Sequence, residues 1–220
     1  VTPNDIIFTN GDVLGNSADP VDIKAFALSK LTYALLPGWN WISFPNNGPI
    51  LSDIPQLFSD LSLIEFDQFE SLTEFASINS SSNWMGNLDT VVVENGYKLY
   101  VENGGSFDYE GIFEDPNTHA VQLDSNWNWV GMIAEQNLDI NTALATLDPV
   151  TGDLIKSQKR FAVYDNSFGW VGNLRTLVPQ EGYLIKLNGH LDELIYPSSI
   201  SSVPLNTLKS TTQPALASLN

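Results

Sequence analysis

Six tryptophans, two histidines and a large excess of carboxylates are the side chains here that could do chemistry. The indoles come in matched positions: Trp39-Asn40-Trp41 recurs as Trp127-Asn128-Trp129, and Trp84-Met85-Gly86-Asn87-Leu88 as Trp170-Val171-Gly172-Asn173-Leu174. An exposed indole stacks its apolar face on a sugar ring while neighbouring Asn and Asp accept hydroxyl protons, so a glycan platform is one chemistry these residues permit. Trp84 and Trp170, beside Gly-Asn turns, are the better candidates for exposure, with Trp39 and Trp127 next. Two equivalent hydrophobic cores would show the same matching, and the sequence favours that reading because duplication preserves packing.

Two loops carry oxygen donors at calcium-loop spacing: Asp12, Asn16 and Asp19 in the first, Asp148 and Asp153 in the second. Neither has the Asp-x-Asp-x-Asp-Gly order and closing Glu of an EF-hand, and turn chemistry accounts for both equally well. Calcium is thus the one cofactor to consider. His119 and His190 stand in no metal-binding spacing, there is no Gly-x-Ser-x-Gly elbow, and the absence of cysteine removes thiol chemistry. With 26 acidic residues, no glycosidase-type carboxylate pair can be singled out. The expectation is a protein that is not an enzyme.

The elements that hold these residues come from a composition that is 43% hydrophobic with 11% aromatic residues, which is that of a folded chain. A net charge of −17 makes nucleic acid and anionic membranes poor partners, because counterion release needs clustered Lys and Arg. No apolar run approaches the ~18 residues of a membrane-spanning helix, so membrane insertion is not expected. Few lysines with many Asn, Ser, Thr and Asp suit an extracellular or cell-surface location. The Val-Thr-Pro start reads as a processed form or an excised piece of a longer protein.

The tryptophan pairs lie 86 or 88 residues apart, and Gly96-Tyr97 recurs as Gly182-Tyr183. Phe75-Ala76 likewise recurs as Phe161-Ala162. This is the signature of a tandem duplication. The predicted organisation is an N-terminal strand segment over 1–32, repeat one over 33–115, repeat two over 116–197, and a linker or extension over 198–220. Within 1–32, Ile6-Ile7-Phe8 and Val21–Phe26 read as strands. Each repeat opens on a strand whose alternation sets both Trp of Trp-Asn-Trp on one face. A short helix follows, with Ile54, Leu57, Phe58 and Leu61 matched by Ile140, Ala143, Leu144 and Leu147. Asp53 and Asp139 fall at its N-cap or first turn. Two further strands precede a tight Gly-Asn turn, and a closing strand turns Tyr97, Leu99 and Val101, or Tyr183, Ile185 and Leu187, inward. The predicted fold class is α+β, predominantly β, built from two pseudo-symmetric strand-rich repeats with one short helix each.

The run Leu36-Pro37-Gly38-Trp39-Asn40-Trp41-Ile42-Ser43-Phe44, followed by the helix, the Trp-x-Gly-Asn-Leu segment and the Gly-Tyr strand, resembles a repeat of large secreted or surface-anchored bacterial proteins, chiefly of Bacteroidota-like and other aquatic bacteria. Copy two carries the fuller version, in Asp153–Gln158, Phe161–Tyr164, Gly169–Leu174 and Gly182–Lys186. The resemblance covers about residues 33–197 and transfers no catalytic or binding residue. Copy one departs from it at Glu70, where copy two has Lys156. Such modules accompany Ig-like domains and sorting signals, which implies an extracellular structural or adhesive role whose partners are other protein surfaces or further copies of the chain. A lectin-like module using the matched tryptophans is the alternative.

Overall fold

The computed structural model describes residues 28–198. The strands expected at Ile6–Phe8 and Val21–Phe26, the loop with Asp12, Asn16 and Asp19, and the tail from residue 199 lie outside the described residues. The first half contains β1 (Leu28–Leu35), β2 (Gly38–Ser43), β3 (Asn46–Asn47), α1 (Ile54–Leu57), β4 (Gln68–Glu70), β5 (Phe75–Ile78), β6 (Trp84–Gly86), β7 (Gly96–Val101) and β8 (Gly105–Phe113). The second contains β9 (Val121–Leu123), β10 (Trp127–Val130), β11 (Leu138–Asp139), α2 (Ile140–Ala143), β12 (Leu154–Lys156), β13 (Phe161–Asp165), β14 (Gly169–Gly172), β15 (Thr176–Leu177), β16 (Tyr183–Lys186) and β17 (Asp192–Leu194).

Two five-stranded antiparallel sheets have the same strand order, β2-β7-β4-β5-β6 and β10-β16-β12-β13-β14. The registers agree residue by residue: Phe69 faces Leu99 and Ala76, and Ile155 faces Ile185 and Ala162. The chain is therefore α+β, predominantly β, and its described residues form two pseudo-symmetric repeats with one single-turn α-helix in each. In the first repeat β1 and β3 flank β8, and in the second β9 pairs with β17. Strand β1 starts at Leu28, ahead of the position 33 at which the sequence similarity begins.

Alternation explains the opening strand. Trp39 and Trp41 face outward, while Asn40 and Ile42 are buried. A buried amide must be satisfied, and it is. Asn40 accepts from Leu36 N–H and donates to Leu36 and Gly38 carbonyls; Asn128 repeats this with Asp124 and Asn126. The Asn of Trp-Asn-Trp thus closes the turn entering the strand. The caps fall where the carboxylates predict: Asp53 accepts from Gln56 N–H and Asp139 from Asn141 N–H. Each helix stops after one turn, so Phe58 and Leu144 are C-caps and Leu61 and Leu147 reach the core from the turn beyond.

The Gly-Asn of Trp-x-Gly-Asn-Leu does not turn a hairpin. It ends β6 and β14, where Phe75 and Phe161 carbonyls each accept two N–H groups, from Asn87 and Leu88 and from Asn173 and Leu174. A Cβ on Gly86 or Gly172 would lie 2.1 Å from those carbonyl oxygens, which is why the position is glycine.

The halves meet reciprocally. Ile42 bridges Glu181, and its counterpart Val130 bridges Asn95, the counterpart of Glu181. Ser43 N–H donates to Gln180 carbonyl at 2.9 Å, and Gly131 N–H to Glu94 carbonyl at 2.8 Å. Reciprocal pairing of this kind defines a two-fold relation. One continuous core runs through it, from Tyr33 and Phe44 through Val130 and Met132 to Tyr183 and Tyr196.

Candidate functional site

The inward faces of the two large sheets are core, so the outer faces are what the fold offers a partner. Across β2-β7-β4-β5 the outward row reads Trp41, Lys98, Glu70, Phe75, and across β10-β16-β12-β13 it reads Trp129, Leu184, Lys156, Phe161. A second row contains Trp39 opposite Tyr100 in one sheet and Trp127 opposite Lys186 in the other.

At the junction these rows interlock into one alternating chain of cations and indoles. Lys186 lies 5.8 Å from the Trp127 ring centre and Lys156 lies 5.8 Å from the same ring. Lys156 is 5.1 Å from Trp41, Lys98 is 5.0 Å from Trp41, and Lys98 is 3.8 Å from Trp129. Two of these contacts, Lys156 to Trp41 and Lys98 to Trp129, join one repeat to the other. Each such contact is worth about 0.5–1 kcal/mol at exposed sites and more when desolvated. Burial holds the Lys98 ammonium below its usual range; Glu70 opposes this, and the like charge of Lys156 adds to it. Trp39 packs its edge against Tyr100 at 5.4 Å.

Beside this chain lies a cleft of about 470 Å³ between β1 and β2 of the first repeat and the 157–160 and 179–182 turns of the second. Gln158 bridges it, taking Trp41 N–H at 3.1 Å and donating to Trp39 carbonyl at 2.6 Å. Gln180 donates to Thr32 carbonyl at 3.0 Å. Arg160 pairs with Glu181 at 3.0 Å, and Glu181 also accepts from Tyr183 hydroxyl at 2.9 Å.

The expectation that Trp84 and Trp170 are the more exposed indoles is overturned. Trp170 is 5% exposed beside Tyr164, and Trp84 is half-buried with its ring 5.9 Å from Phe58. Strand alternation is the reason. Trp84 and Trp170 pair with Ile78 and Tyr164 and share the inward face with Gly86 and Gly172, which pair with Ala76 and Ala162; Met85 and Val171 between them point out. Of the four nominated residues, Trp127 is exposed and Trp39 half-buried on the outer face. Trp41 and Trp129 and the three lysines were not singled out. Their signal was present, since the alternation that turns Tyr97 and Leu99 inward turns Lys98 outward, but the cross-repeat register was not.

Asp153 is fully buried, and its two oxygens accept N–H bonds from Val150 at 2.9 Å and Asn188 at 2.7 Å. Asp67, its counterpart, takes Ile64 and Glu102 N–H groups, each at 2.8 Å. The pair therefore pins a turn to a strand end, and Asp148 donates its N–H to the Asp192 carboxylate at 2.8 Å. Among the described residues no group of three or more His, Asp or Glu side chains is placed to hold a metal ion.

His119 sits at the linker between repeats with Nδ1 2.6 Å from Glu94 and Nε2 3.3 Å from Glu114. Burial alone lowers the ring's pKa, but the bonds and charges of Glu94 and Glu114 outweigh it and raise it above 6.5. Because the folded chain favours the protonated ring, this stabilisation is complete below 6.5, the ordinary value, and fades as pH rises through the higher folded value. The unfolding free energy, followed by urea denaturation across that interval, is expected to fall with pH in the parent chain and to lose this fall in His119→Gln. A parent profile already equal to that of the variant would contradict the clamp.

The fold and this face define a β-rich two-repeat module with a mixed aromatic and cationic surface at its two-fold junction. Comparison with protein families, with curated proteins and with solved structures finds no match. Among the described residues no helix is long and apolar enough to cross a membrane.

Proposed function

We propose that this chain is a non-enzymatic adhesive module of an extracellular or cell-surface protein, engaging its partner through the joined outer faces of the two sheets. The observation that carries this reading is the matched exposure of large apolar side chains there. Phe75 and Phe161 are each 51% exposed, and Met85 and Val171 at the next strand are exposed as well. Aromatic side chains left open at equivalent places in both copies are what a binding face needs and a core does not. Tight union of the repeats through one core supports the mechanical side of the role, since the block has no soft joint between its halves.

A flow-cell assay tests it. Particles coated with the chain are expected to attach to at least one surface bearing polysaccharide, protein or the chain itself, and the Phe75→Ser/Phe161→Ser variant to lose most of that attachment with an unchanged circular dichroism spectrum. Attachment that is absent on all surfaces, or unaltered by the substitutions, would sink the reading.

A lectin-like module is the second reading, and the convergence of Trp39, Trp41, Trp127 and Trp129 on one face favours it. The ammonium groups over three of those rings set a condition on the ligand: a neutral sugar stacking flat would compete with Lys98, Lys156 and Lys186 for the indole faces.

A further inference from the structure

We propose that the cleft at the repeat junction binds an anionic sugar unit, the carboxylate- or sulfate-bearing residue of an acidic polysaccharide. The inference rests on the adhesive reading above and names its ligand class.

The first argument is charge. Five of the chain's nine Lys and Arg residues, Lys98, Lys156, Lys159, Arg160 and Lys186, gather on the outer face and the cleft of a protein whose net charge is −17. The duplication sharpens this. Copy two reads Lys156-Ser157-Gln158-Lys159-Arg160 where copy one reads Glu70-Ser71-Leu72-Thr73-Glu74, so three cations stand where the other repeat has two carboxylates and a threonine. The two turns share their backbone role, since Ser157 N–H bonds to Arg160 carbonyl as Ser71 N–H does to Glu74 carbonyl, each at 2.9 Å. The turn makes its backbone bond with the cations in one copy and without them in the other. At ~0.15 M salt the Debye length of ~8 Å screens the remote acidic surface but not a group touching Lys159 and Arg160.

The second argument is the state of the cleft's polar groups. A peptide docking as an added strand needs free backbone N–H and C=O groups. Here Trp41 N–H and Trp39 carbonyl are taken by Gln158, and Thr32 carbonyl by Gln180. Recognition must then come from side chains. Arg160 is held by Glu181 on one edge of its guanidinium, and exposed Lys159 has no ion-pair partner among the described residues. Trp41 lines the same cleft. Amides, an indole, the unpaired cation Lys159 and the Arg160 guanidinium, whose charge Glu181 partly offsets, around about 470 Å³ suit a hydroxyl-rich ring bearing one anionic group.

Isothermal titration of the chain at 0.15 M salt with polygalacturonate, dextran sulfate, neutral dextran and poly-glutamate tests this. At least one of the two acidic polysaccharides is expected to bind at least tenfold more tightly than dextran and poly-glutamate, and the one preferred identifies the anionic group. Lys159→Thr/Arg160→Gln should weaken that binding at least tenfold at an unchanged thermal midpoint. Should the double variant not fold, Lys159→Thr alone, at an exposed position, should weaken it about threefold. Equal binding of poly-glutamate would overturn the proposal in favour of an acidic peptide, and equal binding of dextran would remove the role of charge. Binding indifferent to the substitutions, or absent for both acidic polysaccharides, overturns it as well. In those cases retained particle attachment leaves the adhesive reading standing, and its loss on every surface removes both.

Discussion

Gly96→Ala is expected to cost the chain about 3 kcal/mol, and Gly182→Ala about 1 kcal/mol more. A Cβ at Gly96 would lie 2.6 Å from the Val130 carbonyl oxygen, and one at Gly182 would lie 2.6 Å from that of Ile42. Both obstacles are backbone atoms of the opposite repeat, so no rotamer change relieves the clash and the junction must open. Overpacking of a tight core costs about 1–3 kcal/mol, and at Gly182 the N–H bond to Trp41 carbonyl, 3.2 Å long, is lost as well, adding about 1 kcal/mol. In a chain of this size that is a fall of about 6–12 °C in Tm. Urea denaturation with the slope held constant measures it. Gly38→Ala is the control: Gly38 has φ of +92° but nothing within 4 Å of an added Cβ, so only the backbone cost of about 1 kcal/mol applies. Losses below about 0.5 kcal/mol at both junction glycines would show that the repeats do not meet through these strands.

The second large effect is expected at the buried carboxylates. Asp67→Ala and Asp153→Ala should each destabilise by about 3–4 kcal/mol, with Asn substitutions retaining part of it. Each carboxylate accepts two N–H groups from turn and strand end. Removing a charged acceptor orphans both donors, and bonds to charged groups are worth about 1.5–3 kcal/mol each. The Asp153 comparison also decides the calcium question at Asp148 and Asp153. If those side chains served an ion, millimolar calcium would raise the Tm of the parent chain but not that of Asp153→Ala. The expected result is a loss independent of calcium.

The loop around Asp153 does not by itself reveal the two backbone N–H groups that this carboxylate binds. In isolation Asp153 sits in a loop rich in oxygen donors, which suits a cation. Its counterpart Asp67 lies in Leu63-Ile64-Glu65-Phe66-Asp67, where apolar side chains interrupt the donors, yet both carboxylates bind two backbone N–H groups. The recurrence of that Asp at the 86-residue offset was the available signal. The tryptophans teach a related lesson. Nothing in Trp-x-Gly-Asn-Leu tells which side of β14 is the core until Tyr164 and Ala162 are set across from it.

The opening strand, short helix, two middle strands and closing strand of each repeat were open to the sequence because they rest on local rules. Alternation sets Asn40 and Ile42 on one face and Trp39 and Trp41 on the other, a carboxylate at the first turn caps each helix, and one repeated spacing makes every assignment in one half a constraint on the other. The tertiary structure alone decided which indoles meet solvent, that Lys156 of one repeat caps Trp41 of the other, and that Gln158 and Gln180 seal the strand edges beside the cleft. Those contacts join residues more than a hundred positions apart across a two-fold junction. Local propensity carries no information about how two identical folds will turn to face each other, because that choice is made by the complementarity of surfaces that exist only once both have formed.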